Sequence, residues 1–284
     1  MNMSNNTKRF FRALLSNKLV VVAMVIILFF LLCAVASPLL ATHDPNATDL
    51  PNKLAGASAE HWLGTDHLGR DLYSRIVYGA RVAFIVGILA VFVATVLGCS
   101  IGMVAGYFGG WVDSLLMRII EAQMAIPSLI LALALSAVFK RGIGMLIILL
   151  GISSIPGYAR MIRGQVMMIR EMDYVAASKI RGNNTFTTLV KHIFPNCISP
   201  IIVVMTQSIG GTILAEAGLS FLGAGIEPPT ASWGAMVNAG YDYLSTNPLY
   251  ALAPGIAVIL MVLSFNIIGN ALRDALDPRV RSQE

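Results

Sequence analysis

Long apolar runs separated by short polar segments make up most of this chain. A helix needs about 20 apolar residues to cross the hydrocarbon core of a bilayer. Six runs approach or exceed that length, the fourth being the shortest: Leu19–Leu40, Arg81–Tyr107, Leu115–Phe139, Ile143–Tyr158, Ile198–Leu222 and Leu249–Leu272. Because the runs are continuous rather than alternating, they predict helices and not barrel strands. The sequence therefore predicts an all-α membrane protein with six transmembrane helices.

The first apolar run has two interpretations. It follows the basic segment TKRFFRALLSNK and ends in CAVAS, which resembles a signal-peptide cleavage site. Its uncharged stretch, Leu19–Ala36, is longer than the roughly 7–15 residues of a signal-peptide core. We interpret it as a transmembrane anchor. Together with the preceding segment and the following loop it makes a first region at residues 1–80, ahead of a five-helix core at residues 81–284.

Lys and Arg predict the orientation, because they collect in cytoplasmic segments of membrane proteins. With the N-terminus inside, fourteen of the twenty lie in inner segments, and the remainder are Lys53, Arg70, Arg75, Arg81, Lys140 and Arg141. The short segment at residues 140–141 opposes the rule but cannot reverse the total. Both termini are expected to be cytoplasmic, with loops Ala41–Ala80 and Gly223–Pro248 outside.

Composition agrees with a membrane protein. Of the 284 residues, 56% are hydrophobic and 12% are charged, and the mean hydropathy is +0.74, whereas a soluble domain carries about 25% charged residues. The net charge of +5 is explained by basic cytoplasmic segments without a nucleic acid partner. Cys33, Cys99 and Cys197 lie in or beside apolar runs without CxxC or zinc spacing, so we expect small core residues.

Glycines recur in the second run at a spacing of four residues: Gly98, Gly102, Gly106 and Gly110. This spacing places them on one helix face and lets another backbone approach closely. The partner is either another helix of the same chain or a second subunit. We therefore include Gly98, Gly102 and Gly106 among the candidates for a translocation path or subunit interface.

Three prolines are expected to change the direction of the chain. Pro127 and Pro156 each remove a helix hydrogen-bond donor, so their helices should kink or end there. Pro195 precedes the fifth apolar run and should break the chain before it. Kinked helices are common where a transport pathway opens, although they also occur elsewhere.

A polar insert of about 35 residues separates the fourth and fifth runs. Asp173 favours a helix start at the positive end of the helix dipole, and Gly182 suits a left-handed helix end. A second amphipathic piece follows, with apolar residues at helical spacing: Phe186, Leu189, Val190, Ile193 and Phe194. The insert is either a solvated loop that fixes topology or a short helix presented to the cytosol as a docking element, which we favour.

Two further positions carry potential chemistry. Glu216 lies within the fifth run, and an acid at membrane depth predicts a functional role, here on the translocation path or at a subunit interface; neutralisation near a helix end is the alternative. His43, His61 and His67 lie in the outer loop with neighbouring carboxylates. Without a defined ligand spacing they are expected to be surface residues, and no metal site is predicted.

Enzymatic interpretations find no support in the sequence. The segment GLSFLG has no paired His and Asp at membrane depth, and a serine nucleophile needs a base. The sequence also has no GxxxxGK[ST] motif, so this chain is not expected to bind ATP through a P-loop. We predict no catalytic residues and no cofactor in this chain.

The polar insert carries a specific resemblance. DYVAASKIRG followed by HIFPN resembles the EAA loop of ATP-binding-cassette importer permeases, the segment that docks in a groove of the ATPase. Ala176 stands where the pattern has glutamate, so the ion pair of that glutamate is not expected here. The resemblance implies coupling residues Asp173, Tyr174, Ala176, Ala177, Ser178, Lys179, Arg181 and Gly182.

The resemblance extends along nearly the whole chain. HWLGTDHLGRDLYSRIVYGAR, AGYFGGWVDSLLMR, LSFLGAGIEPPTASWGAM and FNIIGNALRDALDP are similar to the dipeptide, oligopeptide and nickel permease family, and match its C subunit. This implies the MetI-like fold of type I importers in a bacterial plasma membrane. It also implies a homologous second permease, two ATPases that bind ATP and Mg, and an extracytoplasmic binding protein.

The implied function is import of dipeptides or oligopeptides by alternating access. A nickel or metallophore importer of the same family is the nearer alternative. An ion-coupled secondary transporter is the alternative of another class, and it should show inverted repeats and buried charge relays. No repeat is apparent, and Glu216 alone is a candidate relay.

Overall fold

The computed structural model describes Leu15 and residues 17–276, without the side chains of Ala137 and Lys179. In this part of the chain the fold is all-α, as predicted, apart from one isolated β-bridge between Thr65 and Asp71. The helices are α1 (Lys18–Val35), α2 (Ser37–Leu40), α3 (Leu72–Phe108), α4 (Gly110–Met124), α5 (Ser128–Val138), α6 (Ile143–Ile169), α7 (Asp173–Ile180), α8 (Thr185–Thr188), α9 (Phe194–Phe221), α10 (Trp233–Tyr241) and α11 (Leu249–Leu276). A 3-10 turn spans Leu50–Asn52, and a π-helical segment, Leu189–Ile193, joins α8 to α9.

Five stretches are long and apolar enough to cross a bilayer: α1, α3, α6, the continuous helical run Thr185–Phe221, and α11. α4 and α5 satisfy the same test together but meet at a bend of 76°. The predicted total of six is reached when this pair counts as one span. The span predicted at Leu115–Phe139 is broken between Met124 and Ser128, where a kink or helix end was expected at Pro127. The short span predicted at Ile143–Tyr158 is instead the 27-residue helix α6.

α3 is longer than the apolar run that predicted it. Its 37 residues begin at Leu72, and at 1.5 Å per residue they extend about 55 Å, beyond a hydrocarbon core of about 30 Å. Asp71 caps its first turn by accepting a hydrogen bond from the Ser74 N–H at 2.8 Å. The predicted outer loop therefore ends at Asp71 instead of Ala80, and the division drawn after residue 80 falls inside this helix.

The three prolines have different effects. Pro127 lies in the break before α5, as expected of a helix stop. Pro156 lies inside the continuous α6; the carbonyl of Ile152, which it cannot pair, accepts a hydrogen bond from Gln123 Nε2 at 2.6 Å. Pro195 does not break the chain. It lies in the first turn of α9 behind the π-helical segment, where a missing N–H costs little.

α3 and α6 pack closely through the glycine face of α3. A Cβ atom on Gly98 would lie 2.6 Å from Tyr158 Cβ, and one on Gly106 would lie 2.8 Å from the carbonyl oxygen of Arg163. Gly102 faces the α6 backbone in the same way. Helices approach this closely only where a side chain is missing. The glycines thus serve packing within the chain, one of the two alternatives that the sequence left open.

The fourth glycine of the series does not continue the face. α3 ends at Phe108, and Gly109 and Gly110 follow with φ of +65° and +51°, which favours glycine. The chain therefore turns into α4. Asp113 in the first turn of α4 accepts hydrogen bonds from Arg163 Nε and Nη2 at 2.5 and 2.6 Å, which joins α4 to α6.

The remaining helices surround this pair. In α1, 28% of the apolar window is buried, against 56% in α3, so α1 lies at the edge of the bundle. Its exposed residues are apolar, as expected of a surface that faces lipid: Leu19, Val22, Val25, Phe29 and Leu32. Phe30 and Trp233 join α1 and α10 to one buried cluster. Val175 and Ile193 belong to a second buried cluster that anchors α7.

Candidate functional site

The polar insert contains the helix that the sequence predicted. α7 spans Asp173–Ile180, with Asp173 in its first turn, where a carboxylate favours the helix dipole. Val175 and Ser178 are fully buried and fasten the helix to the bundle. The opposite face is open, because Ile180 is 87% exposed. A short helix is thereby held rigidly while one face stays available to a partner.

Gly182 ends α7 in a Schellman motif. Its φ is +79°, and a Cβ placed on it would meet nothing within 4 Å. The Asn183 N–H donates to the Ser178 carbonyl at 3.3 Å, the six-to-one bond of this motif. Asn183 Nδ2 also donates to Ser178 Oγ at 2.9 Å. The left-handed glycine stop predicted from the sequence is confirmed.

The segment after Gly182 differs from its prediction. Asn184 caps α8 by accepting from the Thr187 N–H at 2.7 Å. A π-helical segment then shifts the buried face, so that Thr188 and Ile193 are fully buried whereas Phe186 is 74% exposed. The regular helical spacing used in the prediction fails across Leu189–Ile193, because π-helical hydrogen bonds span five residues instead of four.

The predicted coupling residues divide between the two faces. Asp173, Tyr174, Ala176 and Arg181 are exposed, Ala177 is half-buried and Ser178 is buried. The side chain of Lys179 lies outside the described part. Ile180 and Phe186 were not among the predicted coupling residues, yet both are prominent on the exposed surface. In the sequence, both are large apolar residues within a polar insert, and that pattern could have identified them as contact residues.

A buried charge cluster organises the loop before α3, which the sequence predicts to face outward and which is called the outer loop below. Asp66 Oδ1 accepts from the N–H groups of Leu68 and Arg70, and its Oδ2 lies 2.6 Å from Arg70 Nε and 3.8 Å from Arg75 Nε. Arg75 Nη1 in turn donates to the carbonyl oxygens of Pro45 and Pro229, at 2.7 and 3.3 Å. The LGTDHLGRD segment is therefore folded against the helix bundle and ties both outer loops together.

Asp71 is a second buried carboxylate in the same segment. Besides capping α3, it lies 3.0 Å from His61 Nδ1 and accepts a hydrogen bond from Thr42 Oγ1 at 3.3 Å. Burial alone would raise the pKa of Asp71, but hydrogen bonds from Ser74 and His61 and the nearby His43 hold that pKa below its usual value. His43 and His61 were expected to be surface residues, but His61 is buried, and the two ring centroids lie 4.7 Å apart.

Glu216, predicted to lie on the translocation path or at a subunit interface, lies in α9 and is buried inside this chain. Its side chain is 1% exposed. Oε1 accepts hydrogen bonds from Ser220 Oγ at 2.8 Å and Ser232 Oγ at 2.9 Å, and Ser220 Oγ accepts from the Ile226 N–H. The carboxyl group therefore joins α9 to the outer loop before α10, inside this chain, and any role in transport stays a prediction.

A cavity lies beside the break between α4 and α5. It has a volume of about 370 Å³ and is lined by Gln123, Met124, Ile126, Pro127, Ser128, Leu131, Ser153, Ser154, Pro156 and Gly157. Ser153 Oγ is buried there without a hydrogen-bond partner among the described residues. A recess with hydroxyl and amide groups can hydrogen bond a polar solute.

Two protein families match the chain. The family described as binding-protein-dependent transport system inner membrane component matches residues 98–282. The N-terminal transmembrane domain of oligopeptide transport permease C matches residues 5–57.

Similar full-length proteins are transport permeases. A dipeptide transport system permease protein of Alkalihalophilus pseudofirmus is 41% identical over 96% of this chain and 90% of its own length. A glutathione transport system permease protein of Pectobacterium atrosepticum is 40% identical over 80% of this chain and 75% of its length. A probable D,D-dipeptide transport system permease protein of Escherichia coli K12 is 39% identical over 89% and 85%. The chain belongs to the family of binding-protein-dependent transport system inner membrane components, as a permease of the oligopeptide C type.

Proposed function

We propose that this permease is the C-type subunit of an ATP-driven importer that carries short peptides into a bacterial cell. The observation that carries the proposal is α7 and its Gly182 stop, a rigid segment with one buried and one exposed face. The sequence of this permease contains no P-loop motif, so ATP hydrolysis is assigned to separate ATPase subunits. The dipeptide and glutathione permeases among its relatives favour peptides over nickel.

The exposed end of the coupling segment suits an ATPase groove. Ile180 and Phe186 are 87% and 74% exposed, and apolar side chains of this size gain free energy when a partner covers them. The fixed orientation of α7, given by Val175 and Ser178, allows movement of the ATPase to be passed to the bundle. Two ATPases, a homologous permease and an external binding protein complete the proposed assembly.

Transport then proceeds by alternating access. Closure of the ATPases moves α7, and the bundle changes from inward- to outward-facing, so that the binding protein releases its peptide into the opened path. The cavity at Gln123, Ser128 and Ser153 supplies donors and acceptors suited to a peptide backbone. Both termini lie in the cytoplasm in this arrangement.

The test is reconstitution in proteoliposomes with the partner permease, the ATPases and the binding protein. Uptake of labelled dipeptide, glutathione and Ni²⁺ is compared, and we expect ATP-dependent peptide uptake. Uptake of Ni²⁺ without peptide uptake would overturn the proposed substrate class. Ile180→Asp should reduce both recovery of the ATPases and transport, whereas Leu50→Asp, at an outer-loop residue that is 61% exposed, should not. Equal behaviour of the two variants would contradict the docking role.

A further inference from the structure

Two histidines and a glutamate converge on the outer side of the bundle, away from the coupling segment. His43 comes from the segment after α2, and Glu60 and His61 come from the turn before the LGTDHLGRD segment. One ligand atom from each residue lies within 4.8 Å of the others. The side chain of His61 is 9% exposed and that of His43 is 35% exposed, so a fixed ligand and a reachable one face each other.

In both imidazole rings Nδ1 is hydrogen bonded, and Nε2 has no hydrogen-bond partner among the described residues. His61 Nδ1 lies 3.0 Å from Asp71 Oδ1. Because a carboxylate can only accept, Nδ1 of His61 carries the proton and Nε2 keeps its lone pair. Thr42 Oγ1 donates to Asp71 Oδ2 and lies 3.0 Å from His43 Nδ1. It therefore accepts the proton of His43 Nδ1, and Nε2 of His43 is also left as a ligand.

This is the arrangement by which metalloproteins orient their histidine ligands. A ligating imidazole usually donates its other N–H to a carboxylate or another oxygen, which fixes the tautomer and the ring. Here Asp71 fixes the two rings, directly for His61 and through Thr42 for His43. Asp71 is itself held by the Ser74 N–H at the start of α3. The free ligands are thus supported from a rigid helix end.

We propose that His43 Nε2, His61 Nε2 and the Glu60 carboxylate form a binding site for a divalent transition-metal ion of the zinc, copper or nickel type. Two imidazole nitrogens with one carboxylate favour such ions over Mg²⁺ or Ca²⁺, which prefer oxygen ligands. Three protein ligands leave a further position for water or another ligand. The ion would join the segment after α2 to the outer turn.

Modest rotation of side chains completes the site. Two ligands each about 2.1 Å from one ion are at most about 4.2 Å apart, less than the present upper limit of 4.8 Å. Glu60 is exposed and can turn toward the rings without disturbing packing. His61 stays in place because its ring is held by Asp71.

The test uses the purified permease in detergent. Its affinity tag is removed, and the protein is then treated with chelator to remove bound metal. Zn²⁺ and Cu²⁺ are titrated by calorimetry, and the Cu²⁺ form is examined by electron paramagnetic resonance. We expect one ion per chain and a spectrum with two coordinated nitrogens. His43→Ala should weaken binding by about tenfold or more and remove one nitrogen coupling. Thr42→Val, which removes a supporting hydrogen bond, should weaken binding by about 10–100-fold.

The matched control is His192→Ala. His192 is also partly exposed but lies in the π-helical segment, away from the outer loop, so binding should match that of the wild type. Failure of the wild type to bind either ion at micromolar concentration overturns the proposal. So does unchanged binding in His43→Ala. Because the readout is metal binding, neither outcome depends on whether the permease carries peptides.

Discussion

Gln123 in α4 donates a hydrogen bond to the backbone carbonyl of Ile152 in α6 at 2.6 Å. This carbonyl is the one that the N–H of residue 156 would occupy in a regular α-helix, and Pro156 has no N–H. The side chain of one helix therefore completes the hydrogen bonding of another. The contact lies beside the 76° bend between α4 and α5 and lines the cavity there.

We expect Gln123→Leu to lower the free energy of unfolding by about 1–3 kcal/mol, because the Ile152 carbonyl loses its partner. In a Pro156→Ala background the restored N–H can bond that carbonyl, so the same Gln123→Leu change should cost less than about 0.5 kcal/mol. Thermal unfolding in detergent of the four combinations measures the coupling. Equal losses in both backgrounds would show that Gln123 stabilises the protein in some other way.

Gly182 offers a test of the coupling segment, because a side chain there strains the backbone without clashing inside the chain. Leucine in the left-handed conformation of Gly182 costs about 1 kcal/mol. A Cβ added at this position would have no neighbour within 4 Å. Gly182→Leu should therefore express and insert normally while transport and ligand-stimulated ATP hydrolysis fall by about tenfold or more.

The control is Gly182→Asn, because asparagine tolerates the left-handed region better than leucine, and it should keep most of the activity. Asn184 is unsuitable as a mild control, since its side chain caps α8. Wild-type transport by Gly182→Leu would mean that the segment is a solvated loop and does not couple the ATPase to the bundle.

The sequence predicted the fold where local chemistry decides the outcome. The apolar runs identified the long helices. Asp173 as a helix start and Gly182 as a helix stop identified α7, because both are local signals. The start of α3 at Leu72 was missed. Polar residues such as Arg75 interrupt the apolar run there, and contacts with Asp66 and distant loop carbonyls allow Arg75 to be buried within the helix.

The side-chain clusters depend on contacts that the sequence does not reveal. His43 and Asp71 are far apart in the chain, so their pairing around His61 was not predictable from spacing. The burial of Glu216 depends on Ser232, which reaches it from the outer loop before α10. A π turn between Thr188 and Ile193 changed which residues are buried, and no pattern in the sequence marks it.

The predicted topology is testable with two new cysteines. Ala57 lies exposed in the outer loop and Ala176 lies exposed on α7, whereas Ser178 is buried and would not report. In intact cells, a membrane-impermeant maleimide should label Ala57→Cys and not Ala176→Cys. Permeabilised cells that lack the ATPases should allow both to be labelled.

The native protein supplies the background control, because Cys33, Cys99 and Cys197 are all buried. Wild-type protein should therefore label weakly under both conditions. Labelling of Ala176→Cys but not Ala57→Cys in intact cells would reverse the orientation and remove the basis for ATPase docking on α7.

Glu216 is expected to act through its hydrogen bonds within the chain. Glu216→Gln keeps an oxygen that can accept from Ser220 and Ser232, so thermal stability should stay close to that of the wild type. Glu216→Ala leaves two buried hydroxyl groups without an acceptor and should cost about 2–4 kcal/mol. Transport assays of Glu216→Gln decide the remaining question. A loss of transport with normal stability would favour a direct role of the carboxylate in the path.

Asp66 should be the least replaceable residue of the outer loop. It is fully buried, and Asp66→Ala leaves the guanidinium groups of Arg70 and Arg75 without their carboxylate. Removing one partner of a buried ion pair costs about 3–5 kcal/mol. We therefore expect a large fall in melting temperature, and rapid cleavage of residues 42–71 by protease added from outside. Asp66→Asn should be milder because its amide oxygen still accepts hydrogen bonds, and Glu227→Gln, at an exposed outer residue, should be neutral. If Asp66→Ala resists protease as well as Glu227→Gln does, the loop is held by its apolar contacts and not by this charge cluster.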